Sequence, residues 1–155
     1  MAHHHPAHAK DAFTSDALER VAATITEVEK LTSAEIRISI LDERDTDDSH
    51  LTVEQLAKKE FANMKMEQTK HRSGVLLLIL YSERKYYVYG DSGIHGRLKE
   101  GTWDSVATTL RKHFSNDHFE EGLHEAIREI ARHLEKALPA EADNTNQLTN
   151  EVAIR

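Results

Sequence analysis

The run Gly74-Val75-Leu76-Leu77-Leu78-Ile79-Leu80-Tyr81 constrains this chain more than any other segment. It is apolar without alternation, so neither face can meet water. It is also strand-sized, far short of the ~20 residues that a membrane-spanning helix needs. A strand covered on both sides lies in the middle of a sheet with a layer packed on each face. Ser82 and Glu83 read as a short turn, and Lys85 to Tyr89 (KYYVY) is aromatic and β-branched, which predicts an antiparallel partner. Upstream, Ile36, Ile38 and Ile40 alternate with Glu35, Arg37 and Ser39. That pattern predicts a strand over Glu35 to Leu41 with one buried and one partly polar face.

Helical periodicity fills the intervals. Residues 15–31 carry Leu18, Val21, Ala22, Ile25 and Val28 on one stripe, with Ser15 or Asp16 as the cap and Glu19 completing a box-like start. Thr52 caps a second helix through about Met66, whose face holds Val53, Leu56, Ala57, Phe61 and Met64. Glu60 falls within that stripe by angle and is expected to snorkel at its edge. A third helix carries Trp103, Val106, Ala107, Leu110 and Phe114. A fourth, from about Phe119 to Leu138, carries Leu123, Ile127, Ile130 and Leu134. The order α-β-α-β-β-α-α, with a right-handed crossover between the first two strands, predicts an α/β fold. It is a three-layer α/β/α sandwich around a small mixed sheet.

The expected organisation is one domain over residues 14–138. A His-rich N-terminal tail or tag remnant (1–13) and a polar, disordered C-terminal tail (139–155) flank it. The chain has no cysteine, which excludes disulfides, zinc-thiolate sites and cysteine nucleophiles. Its net charge of −7 argues against general nucleic-acid binding. No apolar segment is long enough to span a bilayer and no signal-peptide core is present, so a cytoplasmic location is expected.

Strand direction points to a site. If the first two strands run parallel and the third runs back, Glu35, the segment Thr69–His71–Arg72 and the segment Asp91–Ser92–His95 share one sheet edge. Carboxylates, imidazoles, hydroxyls and a guanidinium thereby converge on one rim. Such a mixture can hold a hard divalent cation, calcium or magnesium, through Asp91 and Glu35, or an anion through Arg72 and backbone N–H groups. Alternatively it is a solvated rim in which Arg72 pairs with Glu35 or Asp91. Gly90, Gly93 and Gly96 follow a strand and lead toward a helix, so the loop with Gly90, Ser92, Gly93 and, across from it, Thr69 is a candidate ligand cradle. The spacing matches neither dinucleotide nor NTPase phosphate loops, and a tight turn explains it equally.

Other motifs carry less. The acidic loop from Asp42 to His50 fails as a calcium loop. Counted from Asp42, Asp47 stands where Gly is required and Val53 where Glu is required. Glu120, Glu121 and His124 read as helix-boundary residues without a facing second copy. His113, His118 and His133 lack the i,i+4 His partner of helical zinc sites. Trp103 lies in line with core positions.

Several segments, taken in order, resemble the TPM domain family. Ser33-Ala34-Glu35-Ile36-Arg37-Ile38 is similar to its SGEIRV-like first strand. Thr69-Lys70-His71-Arg72-Ser73-Gly74-Val75-Leu76-Leu77 is similar to T-x-x-R-N-G-V-L-I. Gly90-Asp91-Ser92-Gly93-Ile94-His95 with Trp103 resembles G-D-x-G-I-H…W, and Phe114, Phe119, Gly122 and Leu123 resemble F…F-x-x-G-L. The resemblance spans about residues 15–138. It implies an α/β/α sandwich, an acid phosphatase activity proposed for the thylakoid-lumen branch, and divalent-metal (calcium) binding at strand-end loops. Exported relatives often carry Asp just before N-G-V, where this chain has Arg72-Ser73.

Two functions follow. One is a binding module that takes a metal, a small anionic ligand or a partner protein at the rim. The alternative is a metal-dependent phosphomonoesterase. In it Asp91 and Glu35 hold the cation, Arg72 clamps phosphate and His95 protonates the leaving oxygen.

Overall fold

The computed structural model describes residues 6–69, 71–94, 96–99, 101–141 and 152–155. Its helices are α1 (Ala9–Ala12), α2 (Ser15–Val28), α3 (Val53–Asn63), α4 (Asp104–Phe114) and α5 (Phe119–Ala137); its strands are β1 (Glu35–Leu41), β2 (Gly74–Leu80) and β3 (Lys85–Gly90). The sheet order is β1-β2-β3. β1 and β2 run parallel from Glu35 opposite Gly74 to Leu41 opposite Leu80. β3 returns antiparallel, with Val75 opposite Gly90. The α-β-α-β-β-α-α order is therefore observed, preceded by the short α1.

β2 is buried along its whole length, as its unbroken apolar run requires. Because side chains alternate across a strand, Val75, Leu77 and Ile79 enter one core and Leu76, Leu78 and Leu80 the other. The larger core joins Ile36, Ile38 and Ile40 of β1 to α2, α4 and α5. On the opposite face Leu56, Ala57 and Phe61 of α3 cover Leu76, Leu78 and Leu80, with Tyr87 and Tyr89 at the margin. α3 starts with a complete capping box, Thr52 Oγ1 accepting from Gln55 N and Gln55 Oε1 from Thr52 N. It ends at Asn63 with Met64 as its C-cap, and Lys65 just beyond, at φ 58°, takes the chain out of the helical region. α2 is capped by Thr14, whose hydroxyl accepts from Ala17 N, rather than by Ser15 or Asp16.

The polar positions of β1 do not face solvent. Glu35, Arg37 and Ser39 are all buried. Ser39 Oγ donates to Glu60 Oε2 at 2.5 Å, and Arg155 Nη2 lies 3.1 Å from the same oxygen. Glu60 is thus a buried acceptor between β1, α3 and the C-terminal residue, not a snorkelling edge residue. The alternation along β1 placed Ser39 on its polar face, and the closure of α3 over that face is what buries it against Glu60.

Both expected tails contribute to the fold. Phe13 is 1% exposed and meets Tyr81, Phe114 and Phe119 edge-on, with ring centroids 5.5–6.1 Å apart. Ala9 N donates to Asp42 Oδ1, His8 Nδ1 contacts Asp42 Oδ2, and Tyr81 Oη donates to the Pro6 carbonyl. At the other end Ile154 forms a parallel bridge to Ile40, with Arg155 N donating to Ile40 O and Asp42 N to Arg155 O. This bridge shields the free edge of β1, where unpaired backbone groups would otherwise be exposed. One aromatic residue and a few apolar ones in a polar context carry no periodicity, so their docking is invisible until the surfaces they fill exist.

α5 is stitched to α2 by Arg20, which donates from Nε and Nη2 to both Glu120 oxygens at 2.9 and 2.7 Å. His124 completes the seam, Nδ1 against Thr24 Oγ1 and Nε2 against Glu120 Oε2. The Arg20 hydrogen bonds, with help from His124, hold the Glu120 carboxyl down to about 2 from its ordinary 4.5.

Two outcomes are expected. Phe13→Ala should destabilise the domain by about 3–5 kcal/mol, measured by urea unfolding, as for a buried aromatic and unlike a tail residue. Glu120 has a depressed folded-state pKa, so its stabilisation is present above pH 4.5 and lost as pH falls toward 2. Wild type should therefore lose more stability between pH 5 and pH 3 than Glu120→Gln, as followed by thermal melts at each pH.

Candidate functional site

The register puts the expected rim together. Gly74 is the cross-strand partner of Glu35, and its carbonyl accepts from Asp91 N at 2.9 Å, so Glu35 and Asp91 flank it at one end of the sheet. The loop before β2 is built by a turn in which Arg72 N donates to Thr69 O and Ser73 N to Thr69 Oγ1. Arg72 sits at φ 53°, the left-handed region, as do Lys65, Arg84 and Asp117 at other reversals.

The loops before β2 and after β3 touch through Gly93. Gly93 N donates to Arg72 O at 2.8 Å. A Cβ at Gly93 would stand 2.1 Å from His71 O and 2.6 Å from Arg72 O. Only a residue without a side chain permits this approach, and that is the physical role of the glycine. Ile94 N closes the second loop onto Asp91 O.

The close approach brings Arg72 over Asp91, with Nε 3.2 Å from Oδ2; the two side chains are 56% and 8% exposed. Oδ1 accepts from Ser92 N at 2.7 Å, whereas Oδ2 is buried and accepts no hydrogen bond from the described residues, so its contact with the guanidinium is ionic. A buried carboxylate requires a compensating cation, and Arg72 supplies it from the solvent side.

The candidate residues thus divide. Arg72, Asp91, Ser92, Gly93 and Thr69 belong to one pair of interlocked loops, and Glu35 lies buried at the same sheet edge. His71 turns to Glu141, with Nε2 and Oε1 3.0 Å apart. His95 falls outside the described residues. The backbone cradle is occupied by its own turn: Ser92 N, Gly93 N and Ile94 N all donate within the two loops, and the Thr69 hydroxyl serves Ser73. Gly90 is held in the β3 ladder opposite Val75. For a divalent cation the fit is partial. Asp91 Oδ2 is a buried oxygen without a hydrogen-bond donor among the described residues, but Arg72 Nε already stands beside it. Among the described residues no trio of imidazole and carboxylate ligands gathers at the rim.

One grouping went unread in the sequence. His113, His118 and Glu121, on the last turn of α4 and the start of α5, each place a ligand atom within 4.8 Å of the others. Their spacing across a turn between two helices matches no single-helix rule, so only the helix pairing reveals it.

The architecture and the interlocked rim define a three-layer α/β domain with its loops knotted at one sheet end. The family model of the TPM domain matches residues 8–133, and the chain belongs to that family. Among solved structures it is similar to the BA42 protein of the psychrophilic bacterium Bizionia argentinensis. That match has 27% identity and a TM-score of 0.80, over 92% of this chain and 95% of that one. The N-terminal domain of a P. gingivalis protein matches at 20% identity and TM-score 0.64, covering 81% of this chain and 79% of that one. The N-terminal domain of the cg2496 protein of Corynebacterium glutamicum has the same fold at 10% identity and TM-score 0.56, over 90% and 79%. No curated protein matches the chain. No helix among the described residues is long and apolar enough to cross a membrane.

Gly93→Ala is the sharpest check on this geometry. It should cost about 3 kcal/mol, the upper range for overpacking, and should shift the backbone amide signals of residues 71–73 and 91–94 together. Ordinary stability with unmoved amides would refute the close approach.

Proposed function

We propose that this TPM domain is a binding module whose strand-end rim recognises the anionic group of a small ligand or partner through Arg72. One observation carries the reading: a half-exposed guanidinium is paired with a buried carboxylate at 3.2 Å. The carboxylate orients the side chain without hydrogen-bonding it, and the planar fork of donors faces solvent, where a phosphate or carboxylate can take two of them at once. The committed backbone N–H groups of the glycine loop make it a support for the arginine rather than the cradle itself. With a net charge of −7, long-range steering works against an anion. Recognition therefore rests on close contact, which favours a compact, strongly charged group such as phosphate.

A cation reading draws on the other property of the same pair. Asp91 Oδ2 lacks a hydrogen-bond donor among the described residues. Calcium or magnesium could use that oxygen once the guanidinium swings away, with Glu35 nearby at the sheet edge. The phosphomonoesterase alternative needs the phosphate contact of Arg72 and, in addition, turnover.

Chemical-shift titration of the full chain with inorganic phosphate, calcium and magnesium separates these readings. Under the proposal phosphate perturbs the amides of 71–74 and 91–94, and Arg72→Ala weakens it by about tenfold or more, the range for a charge-assisted hydrogen bond. Arg72→Lys should recover only part of the loss. Saturation by calcium or magnesium, strengthened in Arg72→Ala and with phosphate silent, would replace the proposal with the cation site. Hydrolysis of an aryl phosphate that is lost in both Arg72→Ala and Asp91→Ala would make the domain an enzyme.

A further inference from the structure

The corner between α4 and α5 lies at the opposite end of the sheet from the rim. Phe114 and Phe119, which bound it, stack on Tyr86 at the start of β3 and Tyr81 just past the end of β2. Asp91 leaves the far end, about 20 Å away along a seven-residue strand. Whatever binds at one place is therefore chemically independent of the other.

The corner is tightly made. Asp117 at φ 61° reverses the chain, and His118 N donates back to His113 O at 2.9 Å. A Cβ on Gly122 would stand 3.0 Å from His113 Cβ and 2.8 Å from Phe114 Cε1, so a glycine is needed for α5 to approach α4 this closely. The consequence is that His113, His118 and Glu121 come together, their ligand atoms all within 4.8 Å. The His113 and His118 ring centroids are 6.4 Å apart, and His118 Nδ1 is 3.9 Å from Glu121 Oε2.

A fourth residue supplies the independent observation. Glu125 Oε2 lies 2.5 Å from His113 Nε2. A carboxylate can only accept, so Nε2 carries the proton and Nδ1 of neutral His113 keeps its lone pair. A carboxylate that fixes the tautomer and ring orientation in this way is the usual outer partner of a metal-binding histidine. The His113 side chain is 13% exposed and held by this contact, whereas His118 and Glu121 are exposed and free to close by rotation. Bonds of about 2.0–2.2 Å in a tetrahedral site set ligand atoms roughly 3.3 Å apart, a closure of at most about 1.5 Å from separations that all lie within 4.8 Å.

We propose that His113, His118 and Glu121 form a binding site for a zinc-class divalent cation, with Glu125 as the carboxylate that orients His113. Two imidazoles and one carboxylate suit borderline first-row cations, whereas calcium and magnesium take oxygen ligands. Two carboxylates, Glu121 in contact and Glu125 behind His113, balance the charge of the ion. Three protein ligands leave a fourth position for water.

The test is calorimetric titration of zinc into the full-length chain carrying His3→Ala, His4→Ala and His5→Ala, so that the N-terminal tract does not compete. One equivalent should bind at the corner. His118→Ala and Glu121→Gln, both exposed and expected to leave the far-UV dichroism unchanged, should each weaken it. The loss should reach at least the roughly 10–100-fold that removing an outer-sphere partner costs, and Glu125→Gln should fall within that range. His133→Ala, one face away on α5, should bind zinc as the parent does. Failure of the parent to bind zinc, or equal affinity in His118→Ala and Glu121→Gln, would overturn the proposal. The phosphate and calcium titrations at the rim bear on neither result.

Discussion

The structure depends on β2 having no face that water can reach. Seven consecutive buried residues in the middle of a three-stranded sheet require a complete layer on each side. α3, with Met66 beyond its end, covers one face, and α2, α4 and α5 cover the other. Because β1 reaches β2 through a helix, and β2 reaches β3 through a four-residue turn (81–84), the first connection is parallel and the second antiparallel. That asymmetry gathers the start of β1, the start of β2 and the end of β3 at one edge. The rim is a consequence of topology before any side chain is considered.

Side chains then decide what the rim can do. The loops flanking β2 and β3 approach until a Cβ at Gly93 would overlap the carbonyl of His71. Their backbone donors are spent on each other, which removes the loop as a cradle and leaves the Arg72–Asp91 pair as its chemically distinct feature. The same principle operates at the other end of the molecule. Gly122 lets α5 come close to α4, and the closeness assembles imidazoles and carboxylates that are unremarkable in either helix alone. In both places a glycine required by packing creates the chemistry beside it.

Edges of the sheet show a different economy. The free side of β1 is masked by the bridge from Ile154 to Ile40, and Arg155 reaches Glu60 beneath α3. At the N-terminal side Phe13 closes the aromatic cluster of Tyr81, Phe114 and Phe119. Segments that look dispensable by composition thus complete surfaces that the central elements leave open.

Periodicity determined a good deal without coordinates. The stripes of Leu18, Val21, Ile25 and Val28 and of Leu123, Ile127, Ile130 and Leu134, together with the unbroken run of β2, set the elements, their order and the strand directions. Those signals are local and repeat within a few residues, so one chain suffices to read them. Only the tertiary structure decided that Glu60 accepts from Ser39, that Arg72 pairs with Asp91 rather than Glu35, and that His113 and His118 share a corner with Glu121. Each depends on how closely two elements approach, a distance of an ångström or two set by glycines and packing, and no spacing along the chain encodes it.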